Sequence, residues 1–195
     1  MLTESKTSNN IKTALMAVLI AACAWISIPT EIPFTMQTFG VFLTLRLMKG
    51  KYGTLSVLIY ILLGAIGAPV FAGFSSGIGI LLGPTGGYII GFLFSGIAYM
   101  ILEQYMHSKI TENIVLLFGL VICYAFGTTW FVYVMSSRGS SYSFGQALML
   151  CVLPYLIPDL CKLALSQLVA DRVSRAFNSR ELPMLKSTGF PLRRQ

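Results

Sequence analysis

Charged residues are scarce in this chain. They account for 11% of its 195 residues, and only seven of them are acidic. No charged residue occurs between Tyr52 and Leu102. A soluble domain carries about a quarter charged residues, whereas here 55% of the residues are hydrophobic and the mean hydropathy is +0.76. The composition excludes an ordinary soluble protein and predicts an integral membrane protein. An all-α fold is predicted because the strict alternation of polar and apolar residues in β-barrel strands is absent.

Sequence motifs for catalysis or nucleotide binding are lacking as well. The segment "GIGILLG" at 77–83 has the spacing G-x-G-x-x-x-G, and no Lys-Ser/Thr pair follows "GPTGG", so we predict no phosphate-binding loop. The segment "GFSSG" at 73–77 matches a hydrolase pattern, but its base would be His107, which is predicted on the opposite side of the membrane. One histidine without a carboxylate cluster leaves no recognisable metal site. We therefore expect no enzyme, and no cofactor bound by this chain.

The cysteines do not form a redox or metal motif. All four lie in apolar segments and no C-x-x-C pair occurs, which is typical of small hydrophobic residues in helices: Cys23, Cys123, Cys151 and Cys161. The segment "IAACA" at 20–24 is similar to a signal-peptidase site, but the apolar run continues beyond it. We expect the first helix to be retained, which an intact-mass measurement would test.

Uncharged stretches of about 20 residues predict membrane-spanning helices. The run 52–102 is too long for one span, and its middle part, 64–87, contains eight of the eighteen glycines and two prolines, so it is predicted as helix, glycine-rich loop, helix. The predicted spans are 12–29, 37–48, 52–66, 84–104, 113–136 and 145–177. They form one six-helix membrane domain, 12–177, between an N-terminal segment, 1–11, and a basic tail, 178–195.

The positions of lysine and arginine predict the orientation, because these residues are retained on the cytoplasmic side. With the N-terminus inside, twelve of the fourteen fall in cytoplasmic segments, Arg46 among them; Arg138 lies outside and Lys162 within a span. Both termini are therefore predicted to be cytoplasmic. Topology explains the basic charge, and no interleaving of aromatic and basic residues predicts nucleic-acid binding.

Asp159 is the acidic residue that falls well inside a predicted span, and Lys162 follows it three residues later on the same helix face. An ionisable residue within a membrane indicates a functional site. The alternatives are an ion pair that fixes helix packing, or a lysine that extends to the interface. Pro154 and Pro158 disturb the helix here and favour a cavity. The pair offers a hydrogen-bond acceptor and a donor, which suits an amide-like or ureido ligand.

Small residues on the first helix predict close approach of another helix. Four alanines are spaced three, four and three residues apart along one face: Ala14, Ala17, Ala21 and Ala24. Small side chains permit close helix contact in lipid, and the partner helix belongs either to another subunit or to the same chain. Trp130 and Tyr133 are predicted either to line a pocket or to lie in an interfacial aromatic belt.

Four segments in order resemble the BioY family, the membrane-embedded substrate-binding S-components for biotin in energy-coupling-factor (ECF) transporters. They are "IPFTMQT" at 32–38, "GAIGAPVFAG" at 64–73, "GPTGGY" at 83–88 and "YLIPDLCK" at 155–162, and the resemblance extends over about 12 to 175. It implies a six-helix S-component fold in a bacterial cell membrane and capture of biotin from outside. Uptake would be driven by separate subunits, namely a transmembrane scaffold subunit and two ATPase subunits. The ATPase subunits, and not this chain, would use ATP. A self-contained membrane facilitator or transporter for another small solute is the alternative.

The resemblance also implies roles for particular residues. Asp159 and Lys162 become the polar anchors of biotin; we expect Asp159 to accept from a ureido N–H, and Lys162 to donate to the ureido carbonyl or the valerate carboxylate. The other expected contacts are Thr35, Gln37, Thr85 and Tyr88 in the lid and walls, and Phe34, Phe71 and Trp130 against the apolar part. The four alanines of the first helix resemble the surface by which S-components dock on the scaffold.

Overall fold

Helices make up most of the computed structural model, which describes residues 6–30, 32–140 and 142–187, with side chains described up to 176. The helices are α1 (Lys6–Trp25), α2 (Gln37–Ala65), α3 (Ile78–Leu81), α4 (Gly86–Leu102), α5 (Lys109–Ser137), α6 (Phe144–Cys151) and α7 (Leu153–Ser187). Two short antiparallel strands, β1 (Ser27–Ile28) and β2 (Phe34–Thr35), form a hairpin between α1 and α2. Turns of 3₁₀ helix lie at Ala72–Phe74 and Glu103–Tyr105.

Helix α2 consists of two helical halves that meet at Lys49, whose φ of 55° and ψ of −174° are not helical. A Cβ atom on Gly53 would lie 3.1 Å from the Cα of Leu45. In a straight helix residues eight apart are separated by about 12 Å, so the second half turns back along the first. Glu103 accepts a hydrogen bond from the backbone N–H of Gly50 at 3.1 Å, which satisfies a donor at the start of the second half. The halves match the predicted helices 37–48 and 52–66.

The first and last helices differ most from the prediction. Helix α1 begins at Lys6, within the segment expected to precede the membrane domain, and α7 continues to Ser187, beyond the predicted end at 177. The predicted helix 145–177 is divided into α6 and α7, which meet at a bend of 46°. This break places Pro154 in the first turn of α7, where its missing N–H removes no helical hydrogen bond.

Helices α4 and α5 pack closely because glycines lie between them. A Cβ atom on Gly87 would lie 2.3 Å from the Cβ of Trp130, and one on Gly127 would lie 2.2 Å from the ring of Tyr88. No larger residue fits at either position without moving these aromatic rings. The close contact fixes Tyr88, whose hydroxyl lies 3.1 Å from that of Thr128.

By length and composition, two helical segments of the described chain could each cross a membrane: Gly86–Tyr105 and Lys109–Ser137. Helices α6 and α7 make a third if the bent pair counts as one span. The first half of α2, residues 37–48, would be about 18 Å long, which is shorter than the roughly 30 Å of a hydrocarbon core. The chain is therefore an apolar helical protein with two to three candidate spans.

The alanine face of α1 packs against the chain itself. Ala17, Ala21 and Ala24 are buried, and α1 lies against the first half of α2, where a Cβ on Gly40 would be 3.0 Å from that of Cys23. Little of the surface of these three alanines is therefore exposed for a docking partner in this structure. Ala14 alone of the four is exposed.

Arg46, a member of the predicted cytoplasmic set, is in fact 5% exposed within α2. Its Nε donates to the Ser166 hydroxyl at 3.0 Å, its Nη2 donates to Asn113, and its Nη1 lies 3.3 Å from a carboxylate oxygen of Glu112. The Tyr99 hydroxyl donates to the other oxygen of Glu112 at 2.7 Å. This network joins α2, α4, α5 and α7 near the break in α2.

Candidate ligand-binding site

A cavity of about 200 Å³ lies between the hairpin, the glycine-rich loop 66–85 and helices α2, α4, α5, α6 and α7. Its polar lining residues are Thr35, Gln37, Thr38, Ser75, Thr85, Tyr88, Cys123, Tyr124, Cys151, Tyr155 and Asp159. Its apolar lining residues are Ile32, Pro33, Phe71, Ala72, Ile80, Ile89, Phe92 and Leu120. Although eleven of these residues carry a polar group, most of the surface that lines the cavity is apolar, which is the usual form of a small-molecule site.

Glycines allow the loop 66–85 to approach the cavity closely. Gly77 has a φ of 94°, a conformation that side chains rarely adopt, and its N–H donates to the carbonyl of Gly64 at 2.7 Å. A Cβ atom on Gly64 would lie 2.0 Å from the ring of Phe71. Phe71 also meets the ring of Tyr60 edge to face, with centroids 5.6 Å apart. Phe71 is thereby held in the cavity wall.

Asp159 is held by two hydrogen bonds at the cavity wall. Lys162 donates to its Oδ1 at 2.7 Å and the Tyr124 hydroxyl donates to its Oδ2 at 2.6 Å. Asp159 and Lys162 are each 5% exposed. The Lys162 ammonium also lies 4.3 Å from the centroid of the Phe34 ring, a cation–π contact. Each oxygen of a carboxylate can accept more than one hydrogen bond, so Asp159 can also accept from a ligand.

Two aromatic contacts fix the loops around the cavity. The Phe34 ring stacks on Tyr155 with centroids 6.0 Å apart, and the Tyr155 hydroxyl donates to the carbonyl of Ile32. At the end of α1, the Trp25 indole N–H donates to the carbonyl of Pro69 at 2.8 Å, and its ring stacks on Phe74. The hairpin is thus attached to α7, and the glycine-rich loop to α1.

Most of the residues predicted as ligand contacts lie in the cavity wall: Thr35, Gln37, Phe71, Thr85, Tyr88 and Asp159. Lys162 and Phe34 are not among the lining residues, and Lys162 lies behind Asp159 with the Phe34 ring against its ammonium. Trp130 is not in the wall either. Its indole N–H donates to the carbonyl of Gly83 at 3.0 Å, so it fixes the end of the glycine-rich loop.

The sequence-based prediction missed Tyr124 and Tyr155, which contribute two of the hydroxyls at the cavity. Tyr124 lies in the middle of the apolar helix α5, and a buried tyrosine hydroxyl there needs a hydrogen-bond partner. The sequence could therefore have indicated that the Tyr124 hydroxyl has a hydrogen-bond partner, but not which residue that partner is.

Gln37 brings a buried side-chain amide to the cavity wall, and the residue is 6% exposed. The Tyr60 hydroxyl lies beside this amide, but neither group makes a well-aligned hydrogen bond within the described part of the chain. A buried donor without a well-aligned acceptor costs free energy, so a ligand acceptor at Gln37 would be favourable.

Comparison with known proteins identifies the family. The model of the BioY family matches residues 1–179. The chain belongs to the BioY family. This membership confirms the resemblance carried by the four sequence segments.

Members of the BioY family resemble the chain over most of their length. "Biotin transporter BioY" of Thermotoga maritima is 39% identical over 166 residues, which cover 85% of this chain and 95% of that protein. "Probable biotin transporter BioY" of Pyrococcus horikoshii is 38% identical over 161 residues, covering 82% and 92%. A solved S-component for biotin from an ECF-type ABC transporter superposes with a TM-score of 0.78 at 26% identity, covering 90% of this chain and 95% of that one.

Proposed function

We propose that this chain is the biotin-binding S-component of an ATP-driven ECF transporter and captures biotin from the extracellular side. BioY relatives that match most of the chain are named as biotin transporters, and the solved structure that superposes on it is an S-component for biotin. The observation that carries the proposal is the carboxylate of Asp159, which lines a mainly apolar cavity in this family's fold.

The chemistry of the cavity fits a ureido ring joined to an apolar chain. Asp159 accepts hydrogen bonds from the ureido N–H groups, while Lys162 and Tyr124 stabilise the carboxylate from the other side. Lys162 thus acts mainly through Asp159. This role replaces the direct contact with the ligand that we expected from the sequence. The fused rings and the acyl chain pack against Phe71, Phe92 and other apolar side chains of the wall.

The membrane arrangement belongs to the same proposal. Six spans with cytoplasmic termini place the hairpin and the glycine-rich loop on the outside of the bacterial cell membrane, where biotin arrives. The break in α2 and the Arg46 network then lie toward the cytoplasm. The partners are a transmembrane scaffold subunit and two ATPase subunits, which supply ATP hydrolysis; the chain itself binds biotin and needs no cofactor.

Purified chain should bind biotin at equilibrium without a membrane gradient, nucleotide or partner subunits. We expect a dissociation constant of about 1 μM or tighter, because a capture subunit has to retain its ligand until transport. Isothermal titration calorimetry in detergent measures it. A dissociation constant in the millimolar range would contradict the proposal, and biotin-independent solute flux through vesicles containing this chain alone would favour a self-contained facilitator.

Tyr124→Phe should weaken biotin binding by roughly tenfold. The charged Asp159 carboxylate loses the hydrogen bond from the Tyr124 hydroxyl, which holds the carboxylate in place. The same titration measures the effect. Tyr133→Phe is the matched control, since Tyr133 lies on the same helix with 69% of its surface exposed. Equal effects of the two substitutions would show that Tyr124 does not position Asp159.

A further inference from the structure

The lining of the cavity contains one charged residue, Asp159, among the residues that the structure describes. Lys162, the nearest cation to it, is not in the lining, and its ammonium contacts Asp159 and the Phe34 ring. Biotin carries a carboxylate at the end of its acyl chain at neutral pH. No side chain of the described cavity wall carries a positive charge with which that carboxylate could pair.

The remaining polar groups of the wall are neutral. They include the hydroxyls of Thr35, Thr38, Ser75 and Thr85 and the amide of Gln37. A hydroxyl both donates and accepts, and an amide offers both kinds of group. The amide nitrogen of Gln37 can donate to a carbonyl oxygen, whether that oxygen belongs to an acid, an amide or an ester. Such a wall does not distinguish a charged acyl end from a neutral one.

The cost of moving a charge into the cavity also favours a neutral acyl end. Transfer of a carboxylate from water into a mainly apolar cavity is unfavourable unless the charge is paired. Asp159 adds a second negative charge to the cavity, and Lys162 already compensates that charge through its ion pair. A neutral acyl end avoids the desolvation of a carboxylate, a cost that no cation of the described cavity wall offsets.

We propose that the site recognises its ligand by the ureido end and does not require a charge at the acyl end, so that it also binds neutral acyl derivatives of biotin such as the primary amide. This inference rests on the proposed function, since it concerns the same cavity. It identifies the ligand class as a ureido ring with an uncharged or charged short acyl chain.

Calorimetric titration of the purified full chain with biotin, with biotin primary amide and with tetrahydrothiophene-2-pentanoic acid, which keeps the acyl chain but lacks the ureido ring, tests this inference. We expect the amide to bind within about tenfold of biotin, which is less than the loss of one charge-assisted hydrogen bond would cause. The compound without the ureido ring should bind far more weakly than either.

The outcomes separate the inference from the proposed function. If biotin binds tightly and the amide is weaker by more than about tenfold, a cation pairs with the carboxylate and the inference is wrong, while the proposed function stands. If neither biotin nor the amide binds, the proposed function fails and the inference fails with it. If the compound without the ureido ring bound as tightly as biotin, recognition by the ureido end would be wrong.

Discussion

Asp159→Asn and Lys162→Met should each weaken biotin binding by at least about 2 kcal/mol, or roughly thirtyfold. Asp159→Asn removes the charged acceptor for the ligand and leaves the Lys162 ammonium buried without its partner. Lys162→Met leaves the Asp159 carboxylate with the single hydrogen bond from Tyr124. Since each residue is 5% exposed, water replaces the missing partner only in part. Titration calorimetry on each purified variant measures the loss.

Glu103→Gln is the control for these two variants. Glu103 lies near the break in α2, away from the cavity, and glutamine retains an oxygen that can accept from the N–H of Gly50. Biotin binding should therefore stay close to that of the unmodified chain. Small and equal effects at all three positions would contradict the assignment of the site.

The double variant Asp159→Asn with Lys162→Met separates a ligand role from a packing role. Removing both charges of a buried pair costs much less stability than removing one, because no unpaired charge remains. We expect the double variant to recover most of the thermal stability lost by the single variants, but not biotin binding. Recovery of binding together with stability would show that the pair serves only helix packing.

The break in α2 and the ion pair could be predicted from the sequence because charge is so rare in this chain. Lys49 and Lys51 separate two apolar runs, and the break falls at Lys49. Asp159 and Lys162 interrupt an apolar helix, where unpaired charges would be expensive. These positions carry a strong local signal, which does not depend on knowing the neighbouring helices.

The faces of the helices could not be predicted, because in lipid the outward side of a helix is as apolar as its packed side. The alanines of α1 therefore gave no indication that three of them would be buried within the chain. For the same reason Trp130 and Tyr124 on α5 were indistinguishable as pocket residues, although only Tyr124 lies in the wall. Pro154 indicated a disturbance of the last predicted helix, but the apolar run is continuous there, so the sequence did not show that α6 and α7 are separate helices with a bend between them.

Arg46→Met should lower the free energy of unfolding by about 3 kcal/mol and the melting temperature by at least about 6 °C. Methionine preserves the apolar stem but removes every polar contact of the guanidinium. Ser166, which is fully buried, loses its donor from α2, and Glu112 keeps only the hydrogen bond from Tyr99. Thermal unfolding of the purified variant in detergent, followed by circular dichroism, measures the shift.

The size of this effect follows from the way a guanidinium bonds in several directions at once. Arg46→Lys should recover only part of the stability, because one ammonium cannot reach Ser166, Asn113 and Glu112 together as a planar guanidinium does. Lys109→Gln breaks the pair between Lys109 and Asp171, in which the lysine side chain is 61% exposed, so water replaces the contact and stability should change little. If Arg46→Met had the same melting temperature as Lys109→Gln, the network would contribute no more than a surface ion pair. Helices α2, α5 and α7 would then be held together by apolar packing alone.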